Sequence, residues 1–213
     1  MYINGKWVCE EGKPGDTLET EESTEAYRVF SAEPKDGVLE ILIQTSSFSN
    51  IDTSGSMGWH FGAFEKVRHL YTRNIARDIV VIASYLVLAF AALLLFLTLP
   101  SYRTNAYLAL LAVVHALRTG LKNTKILLTL FPYFEWAVVY KAEKMTDSIT
   151  IILLTLILHT SFPGALPKWL RSLAIGSGVV GTLLFMLLPW QTFLGSSAVT
   201  NQIVFAILGV LFF

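Results

Sequence analysis

The chain has 213 residues, 54% of them hydrophobic and only 15% charged, with a mean hydropathy of +0.56. That charged share lies well under the roughly 25% of an ordinary soluble domain, and the formal charge of zero conceals a split. Residues 1–74 carry 7 Lys/Arg against 12 Asp/Glu, whereas residues 75–213 carry 9 against 4, so neither half offers a basic nucleic-acid-binding surface. The single cysteine, Cys9, excludes an intramolecular disulfide framework and a multi-cysteine metal site.

In chain order, the first signal is Asn4-Gly5, which predicts a tight hairpin because a type I′ turn needs positive φ at both central residues. Residues 1–15 hold neither the basic stretch nor the apolar core of a secretory signal peptide. AYRVF (26–30) is a candidate strand. In VLEILIQTSSF (38–48), Leu39, Ile41 and Ile43 alternate with Glu40 and Gln44, the pattern of a half-buried strand. Residues 1–65 therefore read as an all-β region of four or five strands. Trp7 and Trp59 are expected in its core, in preference to a sugar-stacking surface. Within the connector 66–78, Val67, Leu70 and Ile75 lead on to Ile79 at helical spacing, so a helix continuous with the first apolar run is expected.

Ile79–Leu99 runs 21 residues without a charge or a proline, long enough as a helix to cross a hydrocarbon core about 30 Å thick. Further spans are expected at about 103–121, 142–162 and 171–188. A run at 202–213 breaks off as an incomplete span, which predicts that the chain is a piece of something longer. Between the second and third spans, the aromatic segment around Phe131, Tyr133, Phe134, Trp136 and Tyr140 suits a membrane interface. Residues 79–213 thus read as a polytopic helical bundle.

YINGKWVCEEGKPG, FSAEPKDGVLEILIQTSSFSN and FGAFEKV, in that order, resemble the end of the galactose-binding-like jelly roll of bacterial seven-transmembrane receptors with diverse intracellular signalling modules. YLALLAVVHALRTGL resembles that family's second helix, and FPYFEWAVVYKAEKMTDSITIILLTLIL the approach to its third. The resemblance implies a partial β-sandwich outside the membrane, joined to the first helices of a seven-helix region. It implies a receptor that perceives an external ligand, carbohydrate among the candidates, and relays it to a cytoplasmic output module missing from this sequence. The expected partners are that small-molecule or carbohydrate ligand, the lipid bilayer and a second copy of the chain. The competing reading is a transporter or membrane-enzyme subunit with a small β-domain. The family orientation places the amino terminus outside. The positive-inside rule opposes it, with nine basic residues (Lys66, Arg68, Arg73, Arg77, Arg118, Lys122, Lys125, Lys141, Lys144) outside against three (Arg103, Lys168, Arg171) inside.

Candidate site residues are few. His115 and Arg118 lie one turn apart, as do Glu143 and Asp147, and intramembrane ionisable groups tend to pair; Arg118 with Glu143 is the expected pair. GSGVVG (176–181) matches a dinucleotide-binding pattern but lies in an apolar run with no Asp or Glu after Asp147. Gly176, Gly178 and Gly181 therefore read as close-packing positions between helices. His159 reads as a packed polar side chain. No metal site, cofactor or catalytic nucleophile–base pair is expected.

Overall fold

The computed structural model describes residues 1–10, 12–17, 19–22, 29–44, 46, 48, 60–122, 124–131 and 134–189. The chain divides into two units, Met1–Ile75 and Ala76–Phe213.

In the first unit the Asn4-Gly5 hairpin forms. β1 (Tyr2–Ile3) pairs antiparallel with β2 (Lys6–Trp7) in the register Tyr2↔Trp7. Asn4 (φ 50) and Gly5 (φ 74) both take the left-handed conformation that a type I′ turn demands. β3 (Ile41–Leu42) joins the other edge of β1, giving the order β2-β1-β3. Asn4 also ties the turn to the chain that returns beside it. Its side-chain amide donates to the Glu33 carbonyl at 2.9 Å, its side-chain oxygen accepts the Glu40 N–H at 3.0 Å, and its own N–H donates to the Glu40 carbonyl at 2.9 Å. A second turn of the same kind lies at Asp36 (φ 52) and Gly37 (φ 78), where Lys35 and Val38 exchange both backbone hydrogen bonds. The Glu21 carboxylate closes a longer loop by accepting the Ser46 hydroxyl and the Phe48 N–H.

The jelly-roll sandwich expected here is not present among the described residues. Helix occupies 64% of the described residues, and the sheet has three strands of two residues each. The reason is the missing facing layer. A half-buried strand needs a second sheet or helix against its apolar face, and among the described residues this sheet has none. The alternation over 38–48 accordingly contracts to Ile41–Leu42, with Leu39 and Ile43 exposed. Ile3 and Cys9 are the buried apolar side chains of the unit's described part. Trp7, expected in a core, is 62% exposed. Trp59 and residues 26–28 of the other strand candidate lie outside the described residues.

α1 (Phe64–Thr98) is one unbroken helix of 35 residues, about 52 Å long at the standard rise. Glu65 in its first turn suits the positive end of the helix dipole and pairs with Arg68 at 2.9 Å. The helix ends just before Leu99-Pro100, since proline cannot continue it. The boundary between the two units falls inside it, at Ile75/Ala76. Beyond that point most of its surface is exposed aliphatic side chain, with Val87 at 69% and Leu97 at 65%.

The rest of the second unit is a helical layer: α2 (Arg103–Lys122), the single turn α3 (Ile126–Leu130), α4 (Trp136–Ser161) and α5 (Lys168–Leu187). α4 packs against both α2 and α5. Buried with Ile151 and Leu153 are several hydroxyl residues, including Thr155 at 0% exposure. They bond back to their own helix, Thr150 to the Thr146 carbonyl at 2.7 Å and Thr155 to the Ile151 carbonyl at 2.8 Å. This satisfies the hydroxyls without a partner helix.

The polytopic bundle is also corrected. Two helices, α1 and α5, are long and apolar enough to cross a membrane among the described residues; α2 and α4 are not. They run antiparallel, with polar contacts at Thr104–Thr160 (2.9 Å) and Arg118–Asp147 (2.7 Å). The apolar band between those levels is only about 20 Å deep at 1.5 Å per residue, short of the roughly 30 Å of a hydrocarbon core. The incomplete span at 202–213 lies outside the described residues.

Of the three candidate packing glycines, two are at a contact. A Cβ at Gly178 would sit 2.5 Å from Ile152 Cγ1 and 2.9 Å from the backbone oxygen of Ser148. One at Gly181 would crowd the Ser148 hydroxyl at 2.6 Å and touch Ser148 Cβ at an ordinary 3.4 Å, while one at Gly176 would meet nothing within 4 Å. Unfolding measured in detergent should therefore rank the alanine variants. Gly178→Ala should destabilise by about 1–3 kcal/mol because backbone has to move. Gly181→Ala should cost less, since a hydroxyl can rotate away. Gly176→Ala should gain roughly 0.5–1 kcal/mol of helix propensity. Equal effects at all three positions would refute this packing.

Candidate functional site

The charged residues singled out in α2 and α4 converge where the end of α2 meets the start of α4. The Arg118 guanidinium donates to Asp147 Oδ1 at 2.7 Å, both side chains being largely withdrawn from solvent. Arg118 thus pairs with Asp147 instead of Glu143, which lies one helical turn earlier. The Glu143 carboxylate acts on Lys125, and its backbone carbonyl accepts the Thr146 hydroxyl. The His115 ring stacks on Tyr85 of α1, with centroids 5.5 Å apart and planes at 22°. His115 also feels the charges of both Arg118 and Asp147.

Asp78 is the member that sequence reasoning missed. It is 1% exposed, the most deeply buried charged side chain among the described residues. Its Oδ2 accepts the backbone N–H of Thr124 at 3.1 Å, tying α1 to the α2–α3 connection, and Arg77 lies 3.5 Å from Oδ1. A signal for it was available. Asp78, Ile82, Tyr85, Ala89 and Ala92 recur at alternating steps of four and three, the spacing of a helix-packing seam. Asp78, Ala89 and Ala92 are buried, Tyr85 stacks on His115, and Ile82 reaches toward Gly120 of α2. In the sequence Asp78 stands immediately before the apolar run from Ile79, where an acid reads as the charged end of a span.

Two polar atoms in the same cluster are buried without a hydrogen-bond partner: Arg118 Nε and Thr124 Oγ1. Buried polar groups in folded proteins usually have a partner, ordered water included. Lys125 carries backbone strain. It holds a left-handed conformation (φ 52, ψ 41) at the start of α3, costly for a residue with a Cβ. Burial pushes its ammonium below the ordinary lysine range, against an opposing pull from the Glu143 carboxylate.

At the far end of the layer, Arg171 of α5 donates to His159 Nε2 at 2.6 Å. A guanidinium has no acceptor, so that nitrogen must offer its lone pair, and His159 is a paired polar side chain at the α4–α5 contact. Gly178 of the glycine motif meets α4 instead of cradling a nucleotide. Among the described residues no group of three or more His, Cys, Asp or Glu is arranged to hold a metal. The cluster holds two salt bridges, Arg118–Asp147 and Arg77–Asp78, and a carboxylate-to-backbone tie from Asp78 to Thr124, and so joins α1, α2, α4 and the α2–α3 connection. Comparison of the chain with known protein families, curated proteins and solved structures found no match.

The ion pair is testable by a double-mutant cycle read as unfolding in detergent. Arg118→Ala and Asp147→Ala should each cost about 2–4 kcal/mol, as for a buried pair left with one partner. Their coupling should be about 1–3 kcal/mol. Glu143→Ala should cost clearly less than Asp147→Ala, and the reverse order would place the pair at Glu143. Lys125 makes a separate prediction about pH. Its pKa in the fold lies below the 10.5 of an exposed lysine, so between those values the unfolded chain binds more protons than the folded one. Stability owed to this residue therefore rises with pH across that window and levels off above 10.5. Lys125→Asn keeps a side chain that tolerates the left-handed conformation and should abolish this rise. An unchanged pH profile would show that Lys125 is not desolvated.

Proposed function

We propose that this chain is a membrane-bound receptor component. In this reading an external ligand, a carbohydrate or another small polar molecule, binds the amino-terminal unit. α1 passes the change to the ionic cluster, and the helices carry it to an output module on the cytoplasmic side. The observation that carries the reading is the unbroken course of α1 from Phe64 to Thr98, with the buried Asp78 tied to Thr124 part-way along it. Sharp kinks in helices arise at causes such as proline, and α1 contains neither proline nor glycine, so in this reading displacement at its first turns is carried toward Asp78. In this reading the buried carboxylate that ties α1 to the α2–α3 connection is the contact that a two-state rearrangement would make or break. The resemblance of the chain to bacterial seven-transmembrane receptors points the same way, although the small sheet is not that family's jelly roll.

α1 and α5 cross the cell membrane in this proposal, with the amino-terminal unit outside. Of the nine basic residues that weigh against that orientation, Arg68, Arg77 and Arg118 are ion-paired. The acids of the second unit with a described role, Asp78, Glu143 and Asp147, gather at one end of the layer. A carrier would place them at its middle.

Hydrogen exchange on the protein in lipid nanodiscs, against a panel of mono- and oligosaccharides and small organic acids, tests the relay. A ligand that protects amides in residues 1–48 should also change exchange in 118–125 and 143–147. Protection confined to the first unit would rule out transmission, and solute uptake into sealed liposomes would favour a carrier. Orientation has its own test. Cys9 is buried, so the reporter is Val38→Cys, at an exposed position, in a Cys9→Ser background. Labelling of intact cells by an impermeant maleimide supports an outside amino terminus; labelling only after permeabilisation excludes it.

A further inference from the structure

The second unit holds a half-open pocket of about 230 Å³ between the end of α2, α3 and the start of α4. Its nine lining residues are all apolar, among them Leu121 of α2, Leu128 of α3, Phe134 of the connection, and Val138 and Ala142 of α4. Water has no reason to fill it, because a bound water needs two to four polar partners. Left empty, its lining forfeits dispersion contacts along one whole side. A cavity somewhat smaller, about 150 Å³, is already enough to take up a benzene-sized apolar guest in other proteins. The occupant must therefore present hydrocarbon.

The charges beside the pocket say what else the occupant carries. Lys122 directly follows the lining residue Leu121, Lys141 directly precedes Ala142, and Lys125 stands two residues before Leu127. Lys144 follows on α4, its ammonium 5.3 Å from the centre of the Tyr140 ring. Against these four lysines the same stretch offers two acids, Glu135 and Glu143. A second copy of the chain docking here would bring the same lysines face to face, which like-charge repulsion opposes. An anionic amphiphile satisfies both the apolar lining and the basic surround. Aromatic Phe131 and Phe134, with rings 5.9 Å apart, belong to the kind of segment that sits at headgroup depth.

We propose that this pocket binds one anionic phospholipid, with a segment of acyl chain among Leu121, Leu128, Phe134, Val138 and Ala142 and the phosphate drawn to Lys122 and Lys141. The proposal rests on the chain's placement in a membrane and is independent of the receptor reading, so either can fail alone. Basic segments beside a membrane attract anionic headgroups by this same means.

The test is native mass spectrometry of detergent-purified protein titrated with dioleoyl phosphatidylglycerol or dioleoyl phosphatidylcholine. The wild-type chain should hold one phosphatidylglycerol with roughly tenfold preference over phosphatidylcholine. Ala142→Phe fills the pocket and should abolish binding of both lipids. Lys122→Gln/Lys141→Gln changes two side chains outside the lining, so it preserves the fold; it should lose most of the preference for phosphatidylglycerol. The proposal is overturned if folded wild-type protein retains neither lipid, if it holds both equally, or if the lysine variant keeps the full preference. It is also overturned if a folded Ala142→Phe protein still binds, or if that substitution changes the oligomeric state and leaves lipid binding intact, which would assign the pocket to a second copy.

Discussion

Burying α4 is the constraint on which the rest of the second unit depends. That helix lies between α2 and α5, yet it carries Thr146, Asp147, Ser148, Thr150 and Thr155 along its buried length. A polar group withdrawn from water without a partner costs several times what its hydrogen bond returns, so each of these positions dictates something around it. The threonines turn to their own backbone. Ser148 lies where α5 comes close enough to need Gly178 and Gly181. Asp147 requires a cation, and Arg118 supplies it from α2. The antiparallel register of α2 and α4 follows from that pair at one end and from Thr104–Thr160 at the other. The glycines and the ion pair are therefore two answers to one problem.

Legibility tracked the range of the interaction. Asn4-Gly5 was readable because the conformation it needs is a property of those two residues alone, and Asp36-Gly37 adopts the same left-handed pair for the same reason. The continuity of the connector with the first apolar run was readable because helical spacing persists from Val67 through Ile79, and α1 spans both. The jelly roll was not readable from alternation at 38–48, since alternation says that one face prefers burial and not that a layer exists to bury it. Four complete spans and an incomplete fifth were expected from residue 79 onward, where two helices qualify among the described residues. Apolar runs interrupted by Arg103, Arg118, Lys141, Glu143 and Asp147 were counted by their length, and the contacts those charges make set the actual apolar depth.

The candidate site divides the same way. Spacing placed His115 with Arg118 and Glu143 with Asp147 on common faces, which the helix period guarantees. It did not say which carboxylate Arg118 would take. That choice depends on the axial offset of two helices joined by more than a dozen residues, with α3 folded back against α2 in between. Asp78 was further out of reach. Its partner is a backbone N–H, that of Thr124, and backbone donors leave no mark in a sequence. Lys125 is similar, because its left-handed conformation belongs to the turn into α3 and not to lysine.

The two units are held by different physics, and α1 is the element that belongs to both. The first, in its described residues, relies on local turns and on polar ties from Asn4 and Glu21 to chain 25 to 36 residues away, with little buried apolar surface. Segments with few buried contacts open at low free energy. The second relies on helix packing, and the charges there sit where their loss is expensive. Within the second unit α1 is fixed in a different way, because the buried Asp78 carboxylate ties it to the Thr124 N–H, so a polar contact in a low-dielectric setting adds to the apolar seam formed by Ala89 and Ala92.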